Sequence, residues 1–238
     1  MSEERATEQV FPMSDDLREF LSRARSAGAA ANARVIRLDE LGQGHTVAEQ
    51  PWGLAALRGR LVELSARGAS ATLSTAIDLV LEAQREGEPV AWIVPWGSAE
   101  GPSGTFFPPD AADCGVDLAA LVVVRAPNAV IAARSAERLL RSGAFGLVVL
   151  DFGSANVDVP TAHQGRLVTL AQTHDAAVVC LTEKTAESGS LGSLVSLRAE
   201  ALRARTKDGF EITVRALKDK RRGPGWSRSS KARGPAGM

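Results

Sequence analysis

The sequence predicts an α/β fold in which a mostly parallel central sheet is flanked by helices and closes with an antiparallel hairpin. Short apolar runs alternate with amphipathic stretches at helical spacing through the middle of the chain, which is the pattern of strands buried between two layers of helices. The last two apolar runs flank a turn at Lys207, Asp208 and Gly209 without an intervening helix, which is typical of a hairpin. At 238 residues the chain fits one such domain with two arms.

The predicted elements follow one another in order along the chain. A helix from Asp15 to Arg25 begins after a Ser/Asp cap, and the strand-like run RVIRLDEL follows it. The first core strand, Arg60 to Leu64, leads through a turn of small residues into the helix ATLSTAIDLVLEAQREG. Four further strands are predicted at PVAWIV, LAALVVVR, FGLVVLDF and AAVVCL, further helices at PPDAADCGV, AVIAARSAERLLRSG and TAHQGRLVTLAQTHD, and the hairpin at SLVSLRAEALRAR and GFEITVRALK.

Charge divides the chain into three parts. Acidic and basic residues balance overall, but the N-terminal stretch SEERATEQVFPMSDD is acidic and the C-terminal stretch KDKRRGPGWSRSSKARGPAGM is basic and rich in Gly, Pro and Ser. We therefore predict an N-terminal arm with its helix over residues 1–33, an α/β core over 34–217 and a flexible basic tail over 218–238.

Neither a membrane span nor a metal site is expected. No apolar run approaches the ~20 residues that cross a bilayer, so we predict a cytoplasmic protein, associated with the nucleoid if it binds DNA. Cys114 and Cys180 are far apart in the sequence and are predicted to be buried free thiols. The three histidines are scattered, so neither a catalytic triad nor a set of metal ligands is predicted.

The stretch GRLVELSARGASATLS has the frame of a P-loop without its diagnostic residues. In G-x-x-x-x-G-K-[ST] the glycines let N–H groups wrap a phosphate, the Lys neutralises charge and the hydroxyl binds Mg²⁺. Aligned without a gap, Ala66 and Ala71 take the glycine positions, Thr72 the Lys position and Leu73 the hydroxyl position. We therefore expect neither a bound nucleotide cofactor nor catalysis, and we treat these residues and Arg67 as vestigial.

The order of these segments resembles the core of the RecA recombinase family. GVDLAALVVV followed by LLRSGAFGLVVLD is similar to that family in residue order, and Asp151 ends the second segment where the family has its Walker B acid. Val94, Pro95 and Trp96 stand where the family has its water-activating Glu. The resemblance covers Arg34 to Arg222 and implies a RecA-like core. Because the other residues of the family's ATPase site are missing, we expect its ATPase activity to be lost and Asp151 to be a structural acid.

The missing P-loop residues and the ending KDKRRGPG are similar to the ImuA family, RecA-like accessory proteins of bacterial translesion mutagenesis cassettes. This resemblance implies a non-catalytic role in the SOS response to DNA damage. It also implies an ImuB-like protein, an error-prone DNA polymerase and/or RecA as partners.

The sequence is also compatible with two other functions. A divergent ATP-binding recombinase of DNA repair would use Arg67 and Asp151. A SulA-like cell-division inhibitor would share a RecA-like core that lacks the loop, although the basic tail argues against it.

Two segments are predicted to bind partners. The basic tail is expected to contact DNA phosphates, with the indole stacking on a base, or to fold on a partner protein; its candidates are Lys218, Lys220, Arg221, Arg222, Trp226, Arg228, Lys231 and Arg233. The N-terminal arm offers apolar anchors to a protein partner at Phe11, Leu17, Phe20 and Leu21. The nearly neutral loop after Glu183 and Lys184, where the family contacts DNA, is not expected to bind DNA strongly.

Overall fold

A single eight-stranded sheet organises the part of the chain that the computed structural model describes, residues 51–95, 106–153, 156–207 and 209–232. Its strand order is β3-β2-β4-β5-β1-β6-β7-β8. Strands β1 to β6 pair in parallel, whereas β6, β7 and β8 are antiparallel. The strands are β1 Arg60–Ser65, β2 Val90–Pro95, β3 Leu121–Ala126, β4 Leu147–Asp151, β5 Ala177–Thr182, β6 Leu197–Thr206, β7 Gly209–Asp219 and β8 Ser227–Ala232. The predicted mixed sheet with an antiparallel end is confirmed.

Helices connect the parallel strands, and local sequence sets their ends. They are α1 Leu54–Leu57, α2 Thr72–Arg85, α3 Pro108–Asp113, α4 Ala129–Arg141 and α5 Thr161–Thr173. Helix α4 begins where the Asn128 side chain accepts a hydrogen bond from the Ile131 N–H (2.9 Å). It ends just before Gly143, whose φ of +70° suits a residue without a Cβ.

One predicted strand begins later than the sequence suggested. LAALVVVR was predicted to be extended throughout, but Leu118–Ala120 form a 3₁₀ turn and the strand starts at Leu121. The Asp117 side chain accepts a hydrogen bond from the Ala119 N–H (2.9 Å), and such a local bond favours a turn over a strand.

Apolar side chains alternate across the sheet and fill two cores. The α2 side contains Val62, Leu64, Trp92, Val149 and Val179, packed on Ala76, Leu79 and Val80. The other side contains Leu61, Ile93, Val148, Leu150 and Val178, packed on Ala132, Ala136, Leu140 and Leu167. Burying each large aliphatic side chain contributes about 1.5–3 kcal/mol, so the central strands supply most of the stability. Cys180 is buried as predicted, whereas the prediction for Cys114 is wrong because its side chain is exposed.

The C-terminal region differs from the predicted flexible tail. Strand β7 continues through Lys218 to Asp219, and β8 then pairs with β7 from Arg215↔Ser227 to Phe210↔Ala232. The buried guanidinium of Arg60 lies 2.6 Å from the Asp219 carboxylate, which also accepts a hydrogen bond from the Trp226 indole (3.0 Å). Composition favoured flexibility here, but the sheet includes Lys218 and Asp219 at the end of β7 and Ser227–Ala232 in β8, and the contacts of Asp219 and Trp226 hold the turn between them. Residues 233–238 lie outside the described residues.

Candidate functional site

The loop at the P-loop position, residues 66–71, is hydrogen-bonded to the protein itself. The Ala66 N–H donates to the Thr182 carbonyl (3.3 Å) and the Ala71 N–H to the Ala201 carbonyl (2.9 Å). The Ser70 N–H donates to the Gly68 carbonyl (2.8 Å) within the loop. Ala66 and Ala71 are buried, so methyl groups and occupied donors stand where a phosphate would need open N–H groups.

Thr72 and Leu73, at the Lys and hydroxyl positions of the P-loop pattern, also make contacts within the protein. The Thr72 hydroxyl lies 3.0 Å from the Ser70 hydroxyl, and the Thr72 N–H donates to the same oxygen (3.3 Å). Leu73 packs on the core at the α2 side of the sheet. Arg67, in the same loop, is exposed. Neither Thr72 nor Leu73 offers the cation or the free hydroxyl that the P-loop pattern requires.

Asp151 ends β4, which lies between β2 and β5 in the sheet. Its side chain is almost fully buried and, within the described part of the chain, accepts a hydrogen bond from the Trp92 indole (3.3 Å). Burial raises the pKa of Asp151 to about 6, the Trp92 bond lowers it by less, and the charge of Glu183 raises it further. A carboxyl group with one weak donor in an apolar setting is electrostatically costly when ionised.

A buried charge cluster that the sequence analysis missed lies on β1. The Glu63 carboxylate accepts hydrogen bonds from the Leu191 N–H (2.7 Å), the Ser190 hydroxyl (3.0 Å) and the Thr182 hydroxyl (3.0 Å), and the Lys184 ammonium lies 3.0 Å away. Burial opposes ionisation, but the donors from Leu191, Lys184 and Ser190 outweigh it and hold the pKa of Glu63 below its usual range. A lone Glu inside the apolar run of β1 was the signal available in the sequence.

The same cluster fixes the loop between β5 and β6. The buried Arg198 guanidinium donates to the Thr185 carbonyl (2.7 Å) and to the Ser188 carbonyl. Lys184 is buried against Glu63 and also donates to the Gly189 carbonyl (3.3 Å). The two basic side chains at this position therefore point into the protein and bind its own loop.

The predicted basic binding residues are divided between two places. Lys218, Lys220, Arg221 and Arg222 lie together at the end of β7 and in the turn after it. The Lys220 ammonium donates to the Ser193 carbonyl (2.7 Å), and Arg221 donates to the Arg58 carbonyl (3.3 Å). Lys231 is exposed in β8, on the strand face opposite that of Arg228.

Two tail residues have structural contacts that differ from the predicted ones. The Trp226 ring packs on the core and its N–H is bound by Asp219, so its indole is not an open surface for stacking on a base. The Arg228 guanidinium donates to the Trp52 carbonyl (2.7 Å) and lines a cavity of about 560 Å³ between α2 and the β7–β8 hairpin. Arg233 and the N-terminal candidates Phe11, Leu17, Phe20 and Leu21 lie outside the described residues.

An apolar strand forms one edge of the sheet. Strand β3 pairs only with β2 in the described sheet, and Val122 and Val123 are 43% and 44% exposed on its two faces. Leu118 and Phe107, which precede the strand, are exposed as well. Arg125, near the end of the strand, is exposed and charged, and the unpaired valine segment before it is a template for pairing with another chain.

Metal-binding clusters of three or more His, Cys, Asp or Glu side chains are absent from the described ranges. Among the described helices, none combines the length and apolarity needed to cross a bilayer.

Comparison with known proteins identifies the class of fold. The crystal structure of the RadB recombinase matches this chain with a TM-score of 0.55 at 14% sequence identity, covering 74% of this chain and 88% of the RadB chain. The chain therefore has the RecA-like recombinase fold that its sequence predicted. No protein-family model matches the chain, and no curated protein matches it in sequence.

Proposed function

We propose that this protein is a non-catalytic accessory protein in the translesion synthesis that follows DNA damage, and that it acts by binding other proteins. The observation that carries the proposal is the bonding of the loop at 66–71, whose Ala66, Ser70, Ala71 and Thr72 N–H groups all donate within the protein. A RecA-like fold whose nucleotide loop is closed in this way retains the sheet as a scaffold.

Energetics support the absence of ATP binding. A charge-assisted contact from a P-loop Lys is worth about 1.5–3 kcal/mol, and Thr72 supplies no charge in its place. A phosphate would also have to displace the hydrogen bonds that Ala66 and Ala71 make with Thr182 and Ala201, at the cost of leaving buried carbonyl groups without donors.

The partners follow from the resemblance to the ImuA family: an ImuB-like protein, an error-prone DNA polymerase and RecA. The surface we assign to protein contact is the β3 edge, with its exposed Val122 and Val123. An extended segment of a partner gains backbone hydrogen bonds at such an edge and places alternate side chains on its two faces. The basic turn from Lys218 to Arg222 is proposed as an additional contact with the partner or with DNA.

Calorimetric titration of the full chain with ATP·Mg²⁺ tests the loss of nucleotide binding. We expect no saturable heat up to millimolar nucleotide, measured beside a known ATP-binding recombinase. Saturable binding that Arg67→Ala abolishes would instead establish the divergent ATP-binding recombinase.

Binding of the purified chain to an immobilised ImuB-like protein and to RecA tests the partners. We expect Val123→Lys to weaken binding at least tenfold, since a charge on the edge strand opposes strand addition. Gln172→Lys adds the same positive charge at an exposed position of α5 and should leave binding unchanged. If the chain binds neither the ImuB-like protein nor RecA, the proposed function is refuted. If it binds and Val123→Lys leaves the binding intact, only the assignment of the contact to the β3 edge is refuted.

A further inference from the structure

The structure brings together four basic residues that are distant in sequence. Arg67 lies in the loop after β1, Arg203 and Arg205 lie near the end of β6, and Lys207 lies in the turn that follows; all four are exposed. We call this group the basic ridge. None of its members belongs to the predicted tail, and Arg67 entered the sequence analysis only as a nucleotide-loop residue.

Backbone bonds hold the two halves of the ridge next to each other. The Arg203 N–H donates to the Ala69 carbonyl (2.9 Å), and Ser70 forms an antiparallel bridge with Leu202. The loop that carries Arg67 is therefore attached to β6 at Arg203. These bonds join Ala69 and Ser70 to β6, so Arg67 lies in the same short loop, two residues before the point of attachment.

Strand geometry aligns the β6 arginines. Residues two apart in a strand share a face, so Arg203 and Arg205 project from the face that also carries Ala199 and Ala201. Phe210 pairs with Arg205 across the hairpin, and the Arg203 guanidinium lies 5.6 Å from the centre of its ring. The aromatic ring restrains one guanidinium, which lowers the entropic cost of using it to bind a ligand.

Within the described ranges, the ridge cations have no acidic partner, in contrast to the basic residues of the core. Arg60, Lys184 and Arg198 each lie within 4 Å of a carboxylate. Arg215, on the opposite face of the hairpin, is 2.7 Å from Glu200. No such contact is made by Arg67, Arg203, Arg205 or Lys207, so their positive charge is directed to the solvent.

We propose that the basic ridge binds the phosphate backbone of single-stranded nucleic acid. A line of unneutralised cations with an adjacent aromatic ring is the combination that binds single strands independently of sequence. The site is independent of the proposed protein contact at β3, and it lies on the β6–β7 hairpin instead of the C-terminal turn.

Fluorescence anisotropy with a labelled single-stranded DNA 20-mer tests the proposal on the full chain. We expect the triple variant Arg67→Ala, Arg203→Ala, Arg205→Ala to bind at least tenfold more weakly at 50 mM salt. Since each single-strand phosphate contact contributes about 0.7 to the slope of log affinity against log salt, the slope should fall by about 2.

A matched control removes the same charge elsewhere. Arg134, Arg138 and Arg141 are exposed along α4, and their triple Ala variant should bind the oligonucleotide within twofold of the unmodified chain. Circular dichroism and thermal unfolding verify that both triple variants are folded. Equal weakening in the two variants, unchanged binding by the ridge variant, or no binding by the unmodified chain would each overturn the proposal.

Discussion

At the scale of single residues, two buried carboxylates show how hydrogen-bond donors determine the effect of burial. Glu63 and Asp151 both lie inside the sheet, yet the pKa of Glu63 is lowered and that of Asp151 is raised to about 6. Three neutral donors and an ammonium surround Glu63, whereas among the described residues the Trp92 indole N–H is the donor to Asp151. Glu63 therefore holds the loop between β5 and β6 in place, whereas Asp151 destabilises the fold when it is charged.

Asp151→Asn should stabilise the protein at alkaline pH. Because the folded state binds this proton more tightly than the unfolded chain does, the stabilisation from Asp151 is present below the ordinary Asp pKa of about 4 and is lost as the pH rises through about 6. The Asn variant should exceed the unmodified chain by about 1–3 kcal/mol at pH 8 and by much less at pH 5. Urea unfolding at the two pH values measures the difference.

Asp158→Asn is the control, since Asp158 is exposed. It should leave the unfolding free energy within about 0.5 kcal/mol of the original at both values. A pH-independent gain from Asp151→Asn would contradict the assigned shift.

Asp219→Ala should destabilise the fold strongly. It would leave the buried guanidinium of Arg60 without its carboxylate, which lies 2.6 Å away, and breaking a buried pair in this way costs about 3–5 kcal/mol. Glu86→Ala removes an exposed partner of Arg58, which keeps Glu88 at 2.9 Å, and should cost no more than about 1 kcal/mol. Urea unfolding of both variants provides the comparison, and equal losses would show that Arg60 does not depend on Asp219.

At the scale of elements, the loop at 66–71 differs from a phosphate loop in its backbone as well as in its side chains. Restoring the consensus with Ala66→Gly, Ala71→Gly, Thr72→Lys and Leu73→Ser should therefore not restore ATP binding. The Ala71 N–H would still donate to the Ala201 carbonyl and the loop would still pair with β6. Calorimetry with ATP·Mg²⁺ checks this, and saturable binding by the variant would show that side chains alone had closed the loop.

The elements that sequence patterns predicted well are those whose own residues determine them. Strands β1, β2, β4 and β5 are continuous apolar runs, and α2, α4 and α5 are amphipathic stretches bounded by turn residues, so local pattern was sufficient. Strand β8 could not be predicted from SRSSKA, because its order comes from pairing with β7 and from the contacts of Asp219 and Arg228 with distant residues.

The candidate site was predictable only in part for the same reason. Ala66 and Ala71 lie in the turn between β1 and α2, and Thr72 begins α2, so the βα unit was visible in the local pattern. The approach of Arg203 to Ala69 depends on how β6 lies beside β1, which no local pattern contains.

At the scale of the whole molecule, the two edges of the described sheet differ in chemistry. Strand β3 presents Val122 and Val123 with one exposed charged residue, Arg125, near its end, whereas β8 carries Arg228, Lys231 and three serines. Charged and hydroxyl side chains protect an edge from pairing with other chains, and valines do not. The molecule is therefore asymmetric, with β3 as the edge suited to association.

The rate of amide hydrogen exchange should depend on where a strand lies in the sheet. Amides of β4 and β5, bonded on both sides and buried, should exchange slowest, and those of β3 and β8 should exchange first, because edge strands open at lower free energy. Mass spectrometry of exchanged peptides measures this. Protection of β3 equal to that of β4 in the isolated chain would indicate that the edge is already covered.

The position of β1 also has a consequence for the time at which the domain can fold during synthesis. The first strand of the described sheet lies between β5 and β6, whose residues are made more than 100 positions later, and Arg60 meets Asp219 only when β7 has been made. A ribosome-bound chain that ends before β5 therefore lacks both of the strands that pair with β1. Its apolar strands stay exposed until most of the polypeptide has emerged, a state in which nascent chains depend on chaperones.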